Sequence, residues 1–188
     1  MSAAPSPLSI RQAVAAICGG GVIASPTEAV WGLSCDPFSE IAVARLLNLK
    51  ARPEKKGLIL VVAAMSQLDW LLHDLPGPAR ARLQLSWPGH TTWLVPHHDR
   101  VPHWIHGEHD TVAVRVSAHP AIKALCREWG GALVSSSANP AGCQPALHRF
   151  AVHRYFGDRL DYIVAGAVGG APRPSVIKHL GRDEVVRN

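Results

Sequence analysis

The stretches TTWLVP (91–96) and TVAVRV (111–116) both read as strands, and the segment joining them, residues 97–110, is a histidine-rich loop. Strands that follow one another without a helix between them do not build a strict doubly wound sheet. Further strands are predicted at 21–26, 58–63, 132–139 and 162–164, with a last pair near 175–177 and 184–187. Helical stretches are interspersed among them. Ser9 is a capping candidate for a helix through about Cys18, stopped by Gly19-Gly20-Gly21, and Ser39 for a second through about Lys50. Short helices are predicted at 66–72 and 77–85, a longer one at 119–130 ending on a glycine, and another near 145–156. The expected fold is therefore α/β: a single domain, 1–188 with its core at about 10–187, built on an open twisted mixed sheet with flanking helices.

Composition agrees with a packed core. Of 188 residues 47% are hydrophobic and 18% charged, which excludes a disordered chain. The net charge of +5 favours an anionic partner such as a nucleotide or RNA. Four cysteines without a C-x-x-C pair read as reduced thiols, and MSAAPSPLSI lacks the basic and apolar segments of a signal peptide, so a cytoplasmic protein is expected.

Three stretches carry groups suited to chemistry. In KARPEKKGLIL (50–60) the cations Lys50, Arg52, Lys55 and Lys56 crowd the end of a helix just ahead of an apolar strand. A helix C-terminus tolerates cations, so this is either a solvated helix end or a polyphosphate clamp, with Arg52 gripping bidentately and Lys50 and Lys56 as point charges. In SPTEAVWGL (25–33) a buried strand ends in a turn that should expose a hydroxyl and a carboxylate. In VSSSANPAG (134–142) three hydroxyls leave a strand. No glycine precedes them as in a nucleophile elbow, and such a turn suits a phosphate or carboxylate. The spacing His103-x-x-His106-x-x-His109 resembles a metal site, but Pro102 and Gly107 argue against a rigid helical presentation, and no protein side chains are predicted to hold a metal.

Taken in order, PTEAVWGL, KARPEKKGLIL, TVAVRV and SSSAN resemble the YrdC-like family in its short bacterial form, from about Ile10 to Arg187. The resemblance implies a basic concave face and a nucleotidyltransferase, a threonylcarbamoyl-AMP synthase. Its substrates are L-threonine, bicarbonate or CO2, and ATP carrying Mg2+. Its products are threonylcarbamoyl-adenylate and pyrophosphate, and transfer proteins pass the group to the adenosine next to the anticodon of tRNA. It further implies Lys50 and Arg52 as catalytic residues. ATP would meet Lys50, Arg52, Lys56, Thr111, Ser137, Asn139 and Arg187, and threonine Thr27, Arg115, Ser135 and Ser175. The chain departs from the family pattern at Ala29 (often threonine), Trp31 (often tyrosine), Val61 (histidine in longer members) and Ser117 (often proline). Two other readings are a basic module that binds tRNA or other RNA without nucleotidyl transfer, and a carbamoyl-adenylating domain of a hydrogenase-maturation enzyme. The zinc-finger and acylphosphatase segments of the latter are missing from this sequence.

Overall fold

The computed structural model describes residues 4–182 and 184–187. Nine strands form one mixed sheet among them: β1 Ile23–Pro26, β2 Trp31–Ser34, β3 Ile59–Val62, β4 Thr91–Pro96, β5 Thr111–Val116, β6 Leu133–Ser137, β7 Tyr162–Ile163, β8 Val176–His179 and β9 Glu184–Arg187. Their spatial order is β7-β1-β2-β6-β3-β5-β4-β8-β9. The strands joined by the histidine-rich loop, β4 and β5, are antiparallel, whereas β3 runs parallel to β5 across a long crossover.

The helices are α1 Pro7–Cys18, α2 Glu40–Lys50, α3 Asp69–Leu72, α4 Gly77–Ser86, α5 His103–His106, α6 Pro120–Trp129 and α7 Arg149–Phe156. Several expectations are corrected. Ser6, not Ser9, caps α1, accepting from the Ser9 N–H at 3.2 Å. Pro7 then occupies the first helical position, where its missing N–H is not needed. The last helix begins at Arg149 rather than near Pro145, and the strand near the C-terminus begins at Val176. Residues 103–106 do form a helical turn, entered from Pro102 and stopped by Gly107 at φ 63°. The strand β2 is additional. Its four residues are buried on both faces, so the alternation that betrays a half-exposed strand is absent.

The sheet separates two apolar layers. On one face Ile23, Val61 and Leu133 pack against Ile10, Ala13 and Ile17 of α1 and Ile122 and Leu125 of α6. On the other, Ala24, Leu33, Leu60, Val62 and Val134 meet residues of α2, α3 and α7, among them Leu46, Leu72 and Phe156. Successive strand residues alternate between these layers. Residues an even number of positions from Val61 and Leu133 therefore stay on the first face: Ile59 on β3, and Ser135 then Ser137 on β6. The register aligns Ile59 with Ser135 and Ala113, Val61 with Arg115, and Gly32 with Ser137. Here the face carries serines and an arginine in place of apolar side chains, and it forms the floor of the candidate site.

Candidate active site

Two adjoining cavities of about 240 Å³ each lie on this floor and share Arg52, Leu58 and Ile59. The first is walled by Thr27, Val30, Gly32, Arg52, Arg115, Ser135, Ser136, Ser137, Pro174 and Ser175. The second is more apolar, with Leu94, Ile105, Ala113 and Ile177 beside Lys56, His106, His109 and Thr111. Of the residues implied by the resemblance, Thr27, Arg52, Arg115, Ser135, Ser137 and Ser175 border the first cavity, and Arg52, Lys56 and Thr111 the second. Lys50 and Asn139 line neither. Arg187 lies on β9, and its side chain falls outside the described residues.

Gly32 keeps the floor open. A Cβ there would stand 3.2 Å from the Thr27 methyl and 3.8 Å from the Ser135 hydroxyl. Thr27 itself is held by the turn that separates β1 from β2: its N–H and its hydroxyl both donate to the Val30 carbonyl, at 3.1 and 2.8 Å. That leaves the Thr27 oxygen able to accept from a ligand. Ser175 arrives from the opposite side, its hydroxyl 2.8 Å from that of Thr92 on β4.

The turn at 26–29 does not expose its carboxylate as the sequence suggests. The Glu28 side chain is only 12% exposed. Its Oε1 accepts from the Ser117 hydroxyl at 2.7 Å and the Ala118 N–H at 3.1 Å, and its Oε2 lies 3.2 Å from Arg115 Nη1. Burial alone would push this carboxyl up. The Arg115 charge and the hydrogen bonds from Ser117 and Ala118 outweigh that, and it sits below the usual carboxylate value. Arg115 is 6% exposed, and its buried Nε has no hydrogen-bond partner.

The K-A-R stretch splits at Ala51, which ends α2 in the left-handed conformation at φ 49°. Lys50 goes inward and is 4% exposed. Its ammonium donates to the carbonyls of Ser137 and Asn139, the latter at 2.9 Å, while the Lys50 carbonyl accepts from the Ala141 N–H at 2.7 Å. Burial, with a further push from Arg52, lowers its pKa to about 8. Lys50 thus clips the S-A-N turn from behind. Asn139 stiffens the same turn by donating to the carbonyls of Pro140 and Cys143 at 2.9 and 2.8 Å, while its own buried Oδ1 has no hydrogen-bond partner.

Arg52 turns the other way, into the cavities, and its guanidinium donates to the Gly57 carbonyl at 2.8 Å. The loop carrying that carbonyl rests on the histidine segment. Leu58 donates to the Ile105 carbonyl at 2.8 Å, and a Cβ on Gly107 would lie 2.6 Å from the Lys55 carbonyl. His106 stacks on His97 with ring centroids 3.9 Å apart, and His103 contacts Glu54 at 2.9 Å. Among the described residues no cluster of histidine, cysteine and carboxylate side chains could hold a metal. The histidines instead back the cationic loop.

Sequence reasoning placed the Glu28 carboxylate in the open, and it missed Gly32 and Pro174. The first two lie inside PTEAVWGL, but only the folded turn shows the carboxylate facing Arg115 and the glycine opposite the serines. Pro174 had no signal, since it reaches the cavity through a long irregular loop.

An open mixed sheet whose uncovered face offers arginines, hydroxyls and a clipped S-A-N turn is suited to anionic small molecules. Burial pushes the thiols of Cys35 and Cys126 up to about 12, which makes them inert. Residues 15–188 match the family model Sua5_yciO_yrdC, described as "Telomere recombination", and the chain belongs to this Sua5/YciO/YrdC family. It is 56% identical over 168 residues to the threonylcarbamoyl-AMP synthase of Pseudomonas paraeruginosa, covering 89% of this chain and 90% of that protein. The threonylcarbamoyl-AMP synthase of Saccharophagus degradans is 52% identical over 178 residues, covering 95% and 93%. Among solved structures, P. abyssi Sua5 complexed with L-threonine superposes with a TM-score of 0.86 at 31% identity. The match covers 94% of this chain and 52% of that one, so this chain spans about half of that protein. E. coli YciO shares the fold, with a TM-score of 0.84 at 24% identity, over 98% of this chain and 90% of that one.

Proposed function

We propose that this chain makes threonylcarbamoyl-adenylate and pyrophosphate from L-threonine, bicarbonate or CO2, and ATP. The observation that carries this reading is the junction of the two cavities at Arg52. A more polar cavity, fit for an amino acid, and a more apolar one, fit for a nucleoside, adjoin, and Arg52 lines both. Threonine occupies the first, its carboxylate against Arg115 and its polar groups among Thr27, Ser135 and Ser175. The nucleoside occupies the second beside Thr111, with the phosphates at Arg52, Lys56 and the Ser137 hydroxyl. Arg187 is kept as a further ATP contact of this reading.

The amine of threonine adds to CO2 to give a carbamate and release a proton. A carbamate oxygen then attacks the α-phosphorus, the bond from that phosphorus to the β-bridging oxygen breaks, and pyrophosphate leaves. The nucleophile belongs to the substrate, so the protein acts by positioning and by charge. Three anionic groups repel one another strongly in a site of low dielectric, and Arg52, Lys56 and Arg115 offset that repulsion. ATP enters as its magnesium complex. Glu28, a carboxylate beside the first cavity, is engaged by Arg115, Ser117 and Ala118. The product goes to transfer proteins that modify tRNA in the cytoplasm, with contact to tRNA or other RNA as part of the same reading. No helix among the described residues is long and apolar enough to cross a membrane.

The test is pyrophosphate release by the purified protein with ATP and bicarbonate, comparing threonine, serine and no amino acid. Release should require threonine and bicarbonate. Arg52→Ala should lower it by roughly 100-fold or more, the scale for losing a charge-stabilising donor, while the circular dichroism spectrum is unchanged. Full activity of Arg52→Ala, or release without amino acid, would end the reading.

A further inference from the structure

We infer that Glu28 is a positioning residue for the amino-acid site: a fixed anion that aims the Arg115 guanidinium into the first cavity. The inference rests on the threonine reading of that cavity.

Glu28 is not itself a lining residue of the cavity and stands behind Arg115, which is. Its Oε1 is engaged twice, by the Ser117 hydroxyl at 2.7 Å and the Ala118 N–H at 3.1 Å. Its backbone is fixed as well, because the Ala171 N–H donates to the Glu28 carbonyl at 2.9 Å and the Gly169 N–H to that of Thr27 at 2.9 Å. Gly169 packs so closely that a Cβ there would lie 3.2 Å from the Glu28 Cα and carbonyl oxygen. The carboxylate therefore cannot follow a moving arginine. Its second oxygen, Oε2, sits 3.2 Å from Arg115 Nη1 but makes no hydrogen bond. The hold on Arg115 is thus by charge across a short gap, and it leaves the N–H fork of the guanidinium for a ligand.

The placement has a chemical use. Arg115 and Arg52 border the same cavity, and the reaction brings both a carboxylate and a triphosphate within their reach. An unrestrained Arg115 would be drawn to the stronger anion. Glu28 holds it on the Thr27 side, where one strand turn supplies both a hydroxyl facing the cavity and, one residue on, the anion behind the arginine. The neighbouring His119 is uncharged scaffolding in this network: its Nδ1 accepts from the Ala121 N–H and its Nε2 contacts the Ala167 carbonyl at 3.2 Å.

The experiment is a double-mutant cycle on the full-length protein, read by pyrophosphate release with threonine and ATP varied separately. Glu28→Gln keeps the shape and the acceptor for Ser117 but removes the charge. It should raise the threonine KM about tenfold and move the ATP KM less than about twofold, a separation that a general loss of structure does not produce. In an Arg115→Gln background the same change should add less than about twofold, because Glu28 acts through Arg115. If Arg115→Gln raises the threonine KM and Glu28→Gln does not, or if the two effects multiply, the positioning role is overturned and the threonine site stands. If Arg115→Gln leaves the threonine KM untouched, the threonine reading itself falls. Should Glu28→Gln fail to fold, Ser117→Ala removes one anchor of the carboxylate and leaves both charges. About a threefold rise in threonine KM is then expected, and no change would overturn the proposal.

Discussion

Replacing Lys50 by methionine separates two effects that act in opposite directions. Methionine fills nearly the same volume without the ammonium. In the native protein Lys50 is 4% exposed and its pKa has fallen from 10.5 to about 8. Holding it charged at pH 7 therefore costs the fold roughly 3 kcal/mol, at about 1.4 kcal/mol per tenfold. Removing it relieves that cost. It also strips the carbonyls of Ser137 and Asn139 of a charged donor; that of Ser137 keeps the Asn139 N–H at 2.9 Å, so one group is stranded, a loss of roughly 1–3 kcal/mol. The two nearly cancel, so Lys50→Met at pH 7 should change stability by no more than about 2 kcal/mol in either direction. Activity should not survive in the same way. The S-A-N turn loses the clip that sets Ser137, and pyrophosphate release should fall roughly 100-fold, the scale of losing one preorganised donor. A pH series of denaturant unfolding sharpens the test. Unfolded Lys50 keeps its proton to 10.5 and folded Lys50 gives it up near 8, so between these values the unfolded state binds more protons and wild-type stability gains a contribution that rises with pH. Below pH 8 the cost is fully present. The Lys50→Met protein should lack this rise. A loss of 4 kcal/mol or more at pH 7, an exceptional size for one substitution, or the same pH slope in both proteins, would refute the assignment of Lys50 as a buried, strained cation.

Three other outcomes follow from single contacts. Gly32→Ala places a methyl 3.2 Å from Thr27 Cγ2 over the cavity floor and should raise the threonine KM severalfold in the pyrophosphate assay while lowering stability by only about 1 kcal/mol. Gly107→Ala meets the Lys55 carbonyl at 2.6 Å at a φ of +63°, and chemical unfolding should show a loss of roughly 2–4 kcal/mol together with impaired ATP use, since the loop behind Arg52 must move. Glu28, whose carboxyl is held below 4.5, contributes stability that is present above that pH and lost as pH falls through its lower folded value, so Glu28→Gln should flatten the acid limb of the unfolding profile measured by fluorescence.

How far the sequence reached depended on the range of the interactions. Helix periodicity and capping are local, so α2 with its Ser39 cap was read almost to the residue. The strands β4 and β5 were read from their own residues, and the mixed sheet from the missing helix between them. The strand β2 escaped because burial on both faces removes the period-two pattern, leaving WGLS looking like the end of a turn. The short helix at 103–106 escaped because a single turn is too brief to show a period, and it exists by packing on the 54–58 loop. In the candidate site, residue types were legible and directions were not. The charge run 50–56 reads as one cationic cluster in one dimension. In three dimensions the left-handed Ala51 sends Lys50 behind the S-A-N turn and Arg52 over the cavity.

That divergence changes how the charges work together. A cluster of three or four free cations would hold a triphosphate tightly and nonspecifically, and would bind pyrophosphate as readily as ATP. Here three of the cations already have protein partners: Lys50 lies against two carbonyls, Arg52 against the Gly57 carbonyl and Arg115 against Glu28. Their charge is partly spent on holding the S-A-N turn and the amino-acid pocket in shape. What remains for a ligand is directional, the leftover N–H groups of groups that cannot swing. A rigid donor costs no reorganisation when charge develops at the α-phosphorus, and it holds a departing product less tightly than a mobile lysine would. On this view the buried cations of this chain serve less to attract anions than to fix the geometry in which one anion meets another.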